Sequence, residues 1–469
     1  MSRTLRVLAV LLTALFVFGA CAGGSTPSPS GAASLPAASA QPSASAAASP
    51  DASVDASAEP SASEAASASA PTAGGSITVT SLWGGAEEEN FRMVLDAFTE
   101  ATGITATYEG VRQDYATALQ TRISGGNPPD VAIVPGIGFL RRFARDGSIK
   151  TTEEVGLDTA AIAGNYAPGI LEVGQVDGTQ YAIMVKFNSK STMWYRPDTF
   201  TELGVEPAED WDGYKALIEE IKAGGEVPLG LGVSPDDWTL TDWFESIYVR
   251  QAGPEAYDTL FSIDGNWTDP TVTAAITEMQ AVLTDDNVVG GISGALGTGF
   301  VDGIGQVFSA EPQAVMYYEG GFVGGIATGQ VNTDLEIGTQ IDWFDFPAIG
   351  GGDAVTIGGD VIAALTTNPG VLEFMQYMTT AESGEVWAGT GAIISPMIDV
   401  DTSVYPNELV TKEAEQVANA SAVRFDGSDL LPAGGPNLGA LLQQAIQGND
   451  VAPLLDQFQG EVTTAWENE

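Results

Sequence analysis

The sequence contains no histidine and a single cysteine, Cys21, in 469 residues. One cysteine cannot form an intramolecular disulfide, and without histidine the usual His/Cys ligand sets for zinc, haem and iron–sulfur clusters are missing. A catalytic triad built on histidine is excluded for the same reason. We therefore expect no cofactor and no metal site, and a fold that depends on its apolar core.

Basic residues are also scarce. Lysine and arginine together number 17 against 62 aspartates and glutamates, which gives a formal net charge of −45. Such a chain repels phosphate backbones and anionic lipid surfaces, so nucleic-acid binding is excluded. No run of alternating acids around a central glycine resembles an EF-hand loop. The acidity is interpreted as a device for solubility rather than as a cation site.

Long apolar runs are missing as well, since the longest near the N-terminus extends only from Val7 to Phe18. A membrane-spanning helix needs about 20 apolar residues. Arg3 and Arg6 precede the run and small residues follow it, which is typical of a secretory signal. We assign this signal to residues 1–20 and expect the protein to be exported.

The cysteine stands directly after the predicted signal, in the stretch FGAC. This stretch resembles the bacterial lipobox, which implies that Cys21 is lipidated and becomes the first residue of the mature protein. The alternative is ordinary cleavage, with Ala20-Cys21-Ala22 as an A-x-A site. Residues 21–74 continue as alanine, serine and proline with a few acids, a composition that predicts a disordered tether. The expected location is the outer face of the cytoplasmic membrane, with the lipid as anchor.

From residue 75 the pattern changes to alternating strands and helices. We predict strands at 76–83, 104–108 and 130–134, with helices at 87–102 and 115–124 between them, and further strands at 193–195 and 355–365. This order predicts an α/β fold with a parallel sheet, whose ligands bind beyond the carboxyl ends of the strands. The length predicts two lobes. We assign 75–185 plus 345–395 to the N-terminal lobe and 186–344 plus 396–469 to the C-terminal lobe.

Four segments, in this order, resemble the extracellular solute-binding proteins of carbohydrate ABC importers: ITVTSLWGGAEEENFRMVLDAFTEATGI, SGGNPPDVAIV, STMWYRPDTFTELGV and WDGYKALIEEIKAGG. Three later segments, DWTLTDWFESIYVRQAGPEAYD, GGDVIAALTTNPGVLEFMQYMTTAESGEVWAGTGAIISP and VRFDGSDLLPAGG, are most similar to the α-glucoside-binding branch. The sequence departs from the family at Phe322, where members usually carry tryptophan.

The resemblance implies a two-lobed periplasmic-binding-protein fold of the type II kind. Each lobe would be a sheet flanked by helices, with the sugar in the cleft between them. It also implies hinge closure around the ligand, with hinges expected near 184–188 and 342–347. Delivery of the sugar to membrane permease subunits driven by an ATPase would follow, and we expect a monomer.

A neutral sugar presents hydroxyl groups around its rim and C–H bonds on its two faces, so its site needs planar polar groups and aromatic rings. Residues of these types in predicted loops and helix starts are the candidates: Trp83, Gly84, Glu87, Arg112, Asp114, Asp237, Trp238, Trp243, Tyr318, Glu319, Phe322, Gly359, Asp360, Arg424 and Asp426.

Several candidates have a structural alternative. Trp83 and Trp243 could pack in the core, and Asp237 could cap a helix. The segment around Glu319 could be a structural turn, and Arg424 could form an ion pair with Asp426 or Asp429.

The predicted function is capture of a neutral carbohydrate, with an α-glucoside such as maltose, trehalose, sucrose or a short maltodextrin preferred. Another oligosaccharide or a polyol is the alternative. A glycosidase or an adhesin is a remote one, because no Ser-x-x-Lys or G-x-S-x-G motif and no repeated β modules are present. We expect no enzymatic activity.

Overall fold

A computed structural model describes residues 75–134, 136–166, 170–235 and 237–469. The predicted signal 1–20, the tether 21–74 and the lipidation site Cys21 lie outside these residues. Within them, every helix is too short or too polar to cross a bilayer.

The strands in chain order are β1 (Ser76–Ser81), β2 (Thr105–Gly110), β3 (Val131–Val134), β4 (Gln175–Val176), β5 (Thr179–Gln180), β6 (Ala182–Ser189), β7 (Thr192–Tyr195), β8 (Leu229–Gly230), β9 (Met316–Tyr318), β10 (Asp342–Asp345), β11 (Val355–Ala364) and β12 (Val423–Phe425). The helices are α1 (Ala86–Thr102), α2 (Tyr115–Ser124), α3 (Ile137–Arg145), α4 (Thr152–Val155), α5 (Thr159–Ile162), α6 (Pro197–Leu203), α7 (Trp211–Ala223), α8 (Trp238–Ala252), α9 (Pro254–Leu260), α10 (Pro270–Val282), α11 (Gly291–Ala295), α12 (Phe300–Phe308), α13 (Phe322–Ile326), α14 (Pro369–Tyr377), α15 (Ala381–Ala388), α16 (Glu408–Asn419), α17 (Leu438–Ile446) and α18 (Val451–Asn468).

The N-terminal elements form as the sequence predicts. Helix α1 buries Phe91, Val94, Leu95 and Phe98, whose spacing places them on one face. Three glutamates occupy its first turn, where they complement the helix dipole, and Gly103 ends it with a left-handed backbone (φ 73°). Strand β1 pairs in parallel with both β2 and β3, so the predicted parallel sheet is confirmed.

The first sheet has the order β12-β11-β3-β1-β2, with β6 also paired to β11. Strand β11 is antiparallel to β3 and β6 and parallel to β12. We call this sheet, its helices and their shared core the first lobe. Strand β12 belongs to this sheet, although its segment 396–469 was assigned to the other lobe. The predicted boundary between residues 185 and 186 falls inside β6.

The second sheet has the order β10-β7-β9-β8 and packs with helices α7 to α10, α17 and α18 around a separate apolar core. We call this assembly the second lobe. The chain passes from the first sheet to the second between β6 and β7, at Lys190–Ser191, and returns between β10 and β11. It crosses again after β12. The expected hinge segments 184–188 and 342–347 instead lie largely within strands β6 and β10.

One face of helix α8 forms hydrogen bonds and an ion pair with the segments that cross between the lobes. Asp242 lies 3.0 Å from Lys190 Nζ, and Glu245 accepts from the backbone N–H groups of Gly427 (2.7 Å) and Ser428 (2.9 Å). Positions three or four residues apart are neighbours on the surface of a helix. Asp242 and Glu245 therefore lie on the same face of α8. Helix α8 therefore holds two of the crossing segments in place.

A buried acid lies beside β6. Glu413 of α16 accepts hydrogen bonds from Ser189 N (2.7 Å) and Asn188 Nδ2 (3.3 Å) and is 2% exposed. Burial raises the pKa of Glu413 to about 8. The folded protein therefore keeps a proton that the unfolded chain loses near pH 4.3.

The first prediction follows from that proton. The Glu413 contribution to the free energy of unfolding is largest below pH 4 and is lost as the pH rises through about 8. Glu413→Gln keeps the hydrogen-bond acceptor but has no titrating group. The free energy of unfolding of the variant should therefore rise relative to that of the wild type as the pH increases. Urea denaturation at pH 5, 7 and 9 measures it. A difference that does not change with pH would show that Glu413 is already ionised in the folded protein.

Candidate functional site

A cavity of about 560 Å³ lies between the two lobes. The first lobe contributes residues that follow β1 and β2 together with residues of β6 and β11. The second lobe contributes the starts of α8, α12 and α13. The parallel strands thus place their carboxyl ends at the cavity, as the sequence analysis expected for a ligand site.

The wall from the first lobe is charged. Lys186 of β6 lies with its Nζ 3.2 Å from Glu87 Oε1 and 3.2 Å from Asp360 Oδ2. The same ammonium lies 4.5 Å from the centre of the Trp83 ring. Burial raises the pKa of Asp360, although the Lys186 charge opposes this shift. Both carboxyl groups are thus held in fixed positions by one cation.

The pairing between β6 and β11 is irregular beside Asp360. Asp360 lies opposite Lys186 and Val361 opposite Met184, so β6 carries one extra residue, Val185, as in a β-bulge. A bulge turns a side chain out of the regular alternation of a strand, and this device is common beside binding sites.

Two glycines of this wall allow a close approach of other chains. A β-carbon on Gly84 would lie 2.5 Å from Arg112 Nε, and one on Gly358 would collide with the side chain of Lys190. Gly84 therefore lets Arg112 lie across the first strand-to-helix turn, and Gly358 lets Lys190 reach the base of the cavity.

The wall from the second lobe is aromatic. Trp238, Phe300 and Phe322 are each the first residue of a helix, α8, α12 and α13. The Trp238 ring centre lies 4.8 Å from that of Phe300 and 6.0 Å from that of Phe322. All three rings line the cavity and are partly exposed to it. We call these three residues the aromatic wall.

Lys190 lies at the base of the cavity, where it connects both lobes. Its Nζ lies 3.0 Å from Asp242 Oδ1, 2.5 Å from Asp426 Oδ2 and 5.3 Å from the centre of the Trp238 ring. Burial opposes its charge, but Asp242 and Asp426 raise the pKa of Lys190 well above the ordinary value. Lys190 is thus charged at neutral pH and supports one edge of the aromatic wall.

Behind the aromatic wall lies a pair of buried carboxyl groups. Burial raises the pKa of Asp242 to about 6 despite the nearby charge of Lys190. Burial, together with the nearby Asp242, raises the pKa of Glu319 well above its usual range. Neither carboxyl lines the cavity.

The structure brings eight of the fifteen candidates together around this cavity. Those eight are Trp83, Gly84, Glu87, Arg112, Trp238, Phe322, Gly359 and Asp360. Trp83 also packs edge-on against Phe91 and Trp387. It therefore lines the cavity and is at the same time part of the core, which was the structural alternative.

The other seven candidates do not line the cavity. Asp114 precedes α2, and Asp237 accepts from Asn437 and Gln443 in a neighbouring pocket. Trp243 and Tyr318 pack against each other in the second core, and Glu319 is fully buried. Arg424 pairs with Asp258 at 2.6 Å rather than with Asp426 or Asp429, and it does not line the cavity. Asp426 is buried against Lys190.

The sequence analysis did not include several lining residues among its candidates: Lys186, Asn188, Lys190, Phe300, Asp302, Gln330 and Asp429. Phe300 could have been found, since GTGF repeats the pattern of an aromatic residue at a helix start after glycine. The two lysines carry no such local signal, because they stand in and beside a strand that is buried along its length.

Charge is nearly balanced in the cavity, in contrast to the whole chain. Four acids line it, Glu87, Asp302, Asp360 and Asp429, together with three bases, Arg112, Lys186 and Lys190. We call the charged wall from the first lobe the polar wall. A polar wall opposite an aromatic wall can bind a neutral molecule that has both hydroxyl groups and apolar faces.

A ligand-sized cavity between two lobes is an arrangement typical of a binding protein. The chain belongs to the bacterial extracellular solute-binding protein family, whose model matches residues 84–385. Members of this family are binding proteins, so this chain is an extracellular solute-binding protein and not an enzyme.

Two relatives match most of the chain. The osmoprotective compounds-binding protein GgtB of Synechocystis is 32% identical over 362 residues, which cover 76% of this chain and 84% of the relative. The α-glucosides-binding periplasmic protein AglE of Rhizobium meliloti is 31% identical over 377 residues, 76% of this chain and 80% of the relative.

Solved structures share the fold. The bacterial solute receptor AcbH, described as preferring β-D-galactopyranose, superposes with a TM-score of 0.72 at 20% identity, covering 84% of this chain and 99% of its own. A chitin oligosaccharide binding protein gives 0.71 at 20% identity, with the same coverage. At this identity the likeness concerns the fold, and it confirms the predicted two-lobed α/β class.

Proposed function

We propose that the protein captures a neutral carbohydrate outside the cell and delivers it to an ABC permease, with an α-glucoside as the preferred ligand. The observation that carries this proposal is the aromatic wall of Trp238, Phe300 and Phe322 opposite the polar wall of Glu87 and Asp360. Aromatic faces match the C–H faces of a sugar, and carboxylates match its hydroxyl pairs. The near balance of charge in the cavity supports a ligand without charge.

The α-glucoside preference is supported by AglE, which is named for binding α-glucosides. GgtB, named for osmoprotective compounds, and the named chitin oligosaccharide and galactopyranose binders keep another oligosaccharide or a polyol as the alternative. Maltose, trehalose, sucrose and short maltodextrins are the compounds to test first.

A thermal-shift screen followed by calorimetry tests the proposal. A ligand present at 100 times its dissociation constant stabilises the folded protein by about 2.7 kcal/mol, which a melting curve detects readily. We expect stabilisation by at least one neutral α-glucoside. Binding of a β-linked oligosaccharide or a polyol alone would contradict the α-glucoside preference. Stabilisation by peptides or anions alone would contradict the carbohydrate proposal.

The second prediction is closure of the lobes around the ligand. The crossings at Lys190–Ser191 and after β12 are single segments held by α8, so bending there would move one lobe against the other as a unit. Small-angle scattering should show a smaller radius of gyration at saturating ligand. An unchanged radius with demonstrated binding would contradict closure.

The third prediction concerns the anchor. We propose that Cys21 is lipidated and that residues 21–74 tether the head to the membrane. Cys21→Ala should abolish incorporation of labelled fatty acid and leave the protein unprocessed or released into the medium. Cys21→Ser, which keeps the size of the side chain, should behave in the same way. Labelling of either variant would contradict the proposed lipidation.

A further inference from the structure

Lys186 joins two acids of the polar wall that come from different elements. Glu87 belongs to α1 and Asp360 to β11, and one carboxylate oxygen of each lies 3.2 Å from Lys186 Nζ. Lys186 is buried, and it lines the cleft. Burial opposes its charge, but Asp360 and Glu87 raise the pKa of Lys186 above the ordinary value. A ligand in the cleft therefore meets a cation in contact with two carboxyl groups.

Each of these carboxyl groups has a second oxygen that the protein leaves available. Lys186 contacts Glu87 Oε1 and Asp360 Oδ2. Within the part of the chain that the structure describes, Glu87 Oε2 and Asp360 Oδ1 accept no hydrogen bond from the protein. Both side chains are partly exposed and line the cavity. A carboxylate oxygen only accepts hydrogen bonds, so each of these two atoms can receive the hydrogen of a ligand hydroxyl.

The position of the Lys186 ammonium is fixed from several sides. Glu87 and Asp360 contact it through charge, and the centre of the Trp83 ring lies 4.5 Å from the same nitrogen. Ion pairs and a cation–π contact together hold the charge in place. A cationic group on a ligand would have to lie close to this charge in order to reach the two carboxyl groups. Repulsion between like charges is strong where water is partly excluded.

The chain contains a comparable lysine outside the cleft. Lys412 of α16 has its Nζ 2.8 Å from Asp342 Oδ1 and 4.6 Å from the centre of the Trp343 ring. It therefore repeats the combination of ammonium, carboxylate and indole, but it does not line the cavity. Lys412 is thus a matched reference for the structural part of such a contact.

We propose that Lys186 determines the selectivity of the cleft, so that ligands offering neutral hydroxyl groups to Glu87 and Asp360 are bound and ligands carrying a cationic amine there are rejected. This inference rests on the proposed carbohydrate function and adds the residue that selects the charge of the ligand. Lys186 acts in two ways: it holds one oxygen of each carboxyl group, and its own charge repels a second cation. Selectivity of this kind combines an attractive element with a repulsive one.

The test compares a neutral sugar with its amine analogue by calorimetry on the purified protein. The neutral probe is whichever of maltose, trehalose, sucrose and maltotriose the wild type binds most tightly. The cationic probes are analogues of that sugar, each with one hydroxyl group at a different ring position replaced by an amine. Measurement at pH 6.5 keeps the amine charged. The wild type should bind the neutral sugar at least about tenfold more tightly than every amine analogue.

Lys186→Met keeps the length and the apolar stem of the side chain but removes the charge. The variant should bind the neutral sugar at least about tenfold more weakly and bind at least one amine analogue more tightly than the wild type does. Lys186→Gln, which is polar but uncharged, should shift the preference in the same direction. Melting curves show that each variant is folded.

Two further variants separate selectivity from structural support. Lys186→Met combined with Asp360→Asn removes one charge of each sign, so it should lose the preference for the amine. Lys412→Met is the control, because it changes the net charge of the chain as Lys186→Met does, and it should leave both affinities unchanged.

The outcomes distinguish this inference from the function on which it rests. Equal weakening of the neutral sugar and the amine analogues in Lys186→Met and Lys186→Gln would show that the lysine only supports the structure, and it would overturn the inference alone. Unchanged affinities in both variants would overturn it as well. If the wild type binds none of the four neutral sugars and none of the other carbohydrates in the thermal-shift screen, the proposed function and this inference both fail.

Discussion

Replacing Trp243 by alanine is expected to lower the free energy of unfolding by about 3–5 kcal/mol, the range for deleting a large aromatic side chain from a core. The indole is 2% exposed, and its ring centre lies 4.5 Å from that of Tyr318 and 5.8 Å from that of Phe346. Removal leaves a cavity at the centre of the second lobe that the surrounding residues cannot fill. Urea denaturation followed by circular dichroism measures the loss.

Trp243→Phe is the matched variant, because it keeps an aromatic ring in the same position and should cost less than the alanine. The affinity of the folded fraction of Trp243→Ala for sugar should change little, since the ring does not line the cleft. A loss of stability below 1 kcal/mol would contradict the burial of this indole. A large loss of affinity without a loss of stability would place Trp243 in the site after all.

The geometry of α8 explains why sequence alone could not separate Trp238 from Trp243. Both stand in the segment DWTLTDWFE, the densest group of acids and indoles in the chain. A helix turns about 100° per residue, so positions five apart face directions about 140° away from each other. One of the two rings can therefore face the cleft and the other the core. The periodicity predicts this separation, but it cannot say which ring faces which way.

The N-terminal half of the first sheet was predictable because its elements are local. Strands β1 to β3 and helices α1 and α2 lie within two residues of their predicted bounds at most ends, and their order fixes a parallel sheet. Strand β12 was not predictable in the same way. It joins the first sheet through a partner, β11, that precedes it by almost sixty residues, and no local pattern records such a pairing.

The cations of the site illustrate the same limit. Lys186 stands within the segment 184–188, where the sequence analysis expected a hinge, and Lys190 follows that segment directly. Their partners Asp360, Asp242 and Asp426 are distant in sequence. A buried lysine is stable only when such partners are present, but the sequence around each lysine does not identify which distant carboxylates supply them.

Replacing Trp238 by alanine is expected to weaken carbohydrate binding by about 2–4 kcal/mol, which is roughly 30- to 1,000-fold in affinity. The ring lines the cleft and is partly exposed, and it contacts both other rings of the aromatic wall. Its removal deletes the surface on which a sugar face would stack, and it removes the ring beside the Lys190 ammonium. Calorimetry with the best ligand of the screen measures the loss.

The comparison with Trp243 makes this last experiment specific. Both variants delete one indole from the same helix, but Trp238→Ala should lower affinity with a loss of stability below that of Trp243→Ala, because its ring is only partly buried. Phe322→Ala should weaken binding by a smaller factor, since a phenyl ring offers less area for stacking. If Trp238→Ala binds the ligand as tightly as the wild type, the aromatic wall is not the sugar platform and the ligand lies on the polar wall alone.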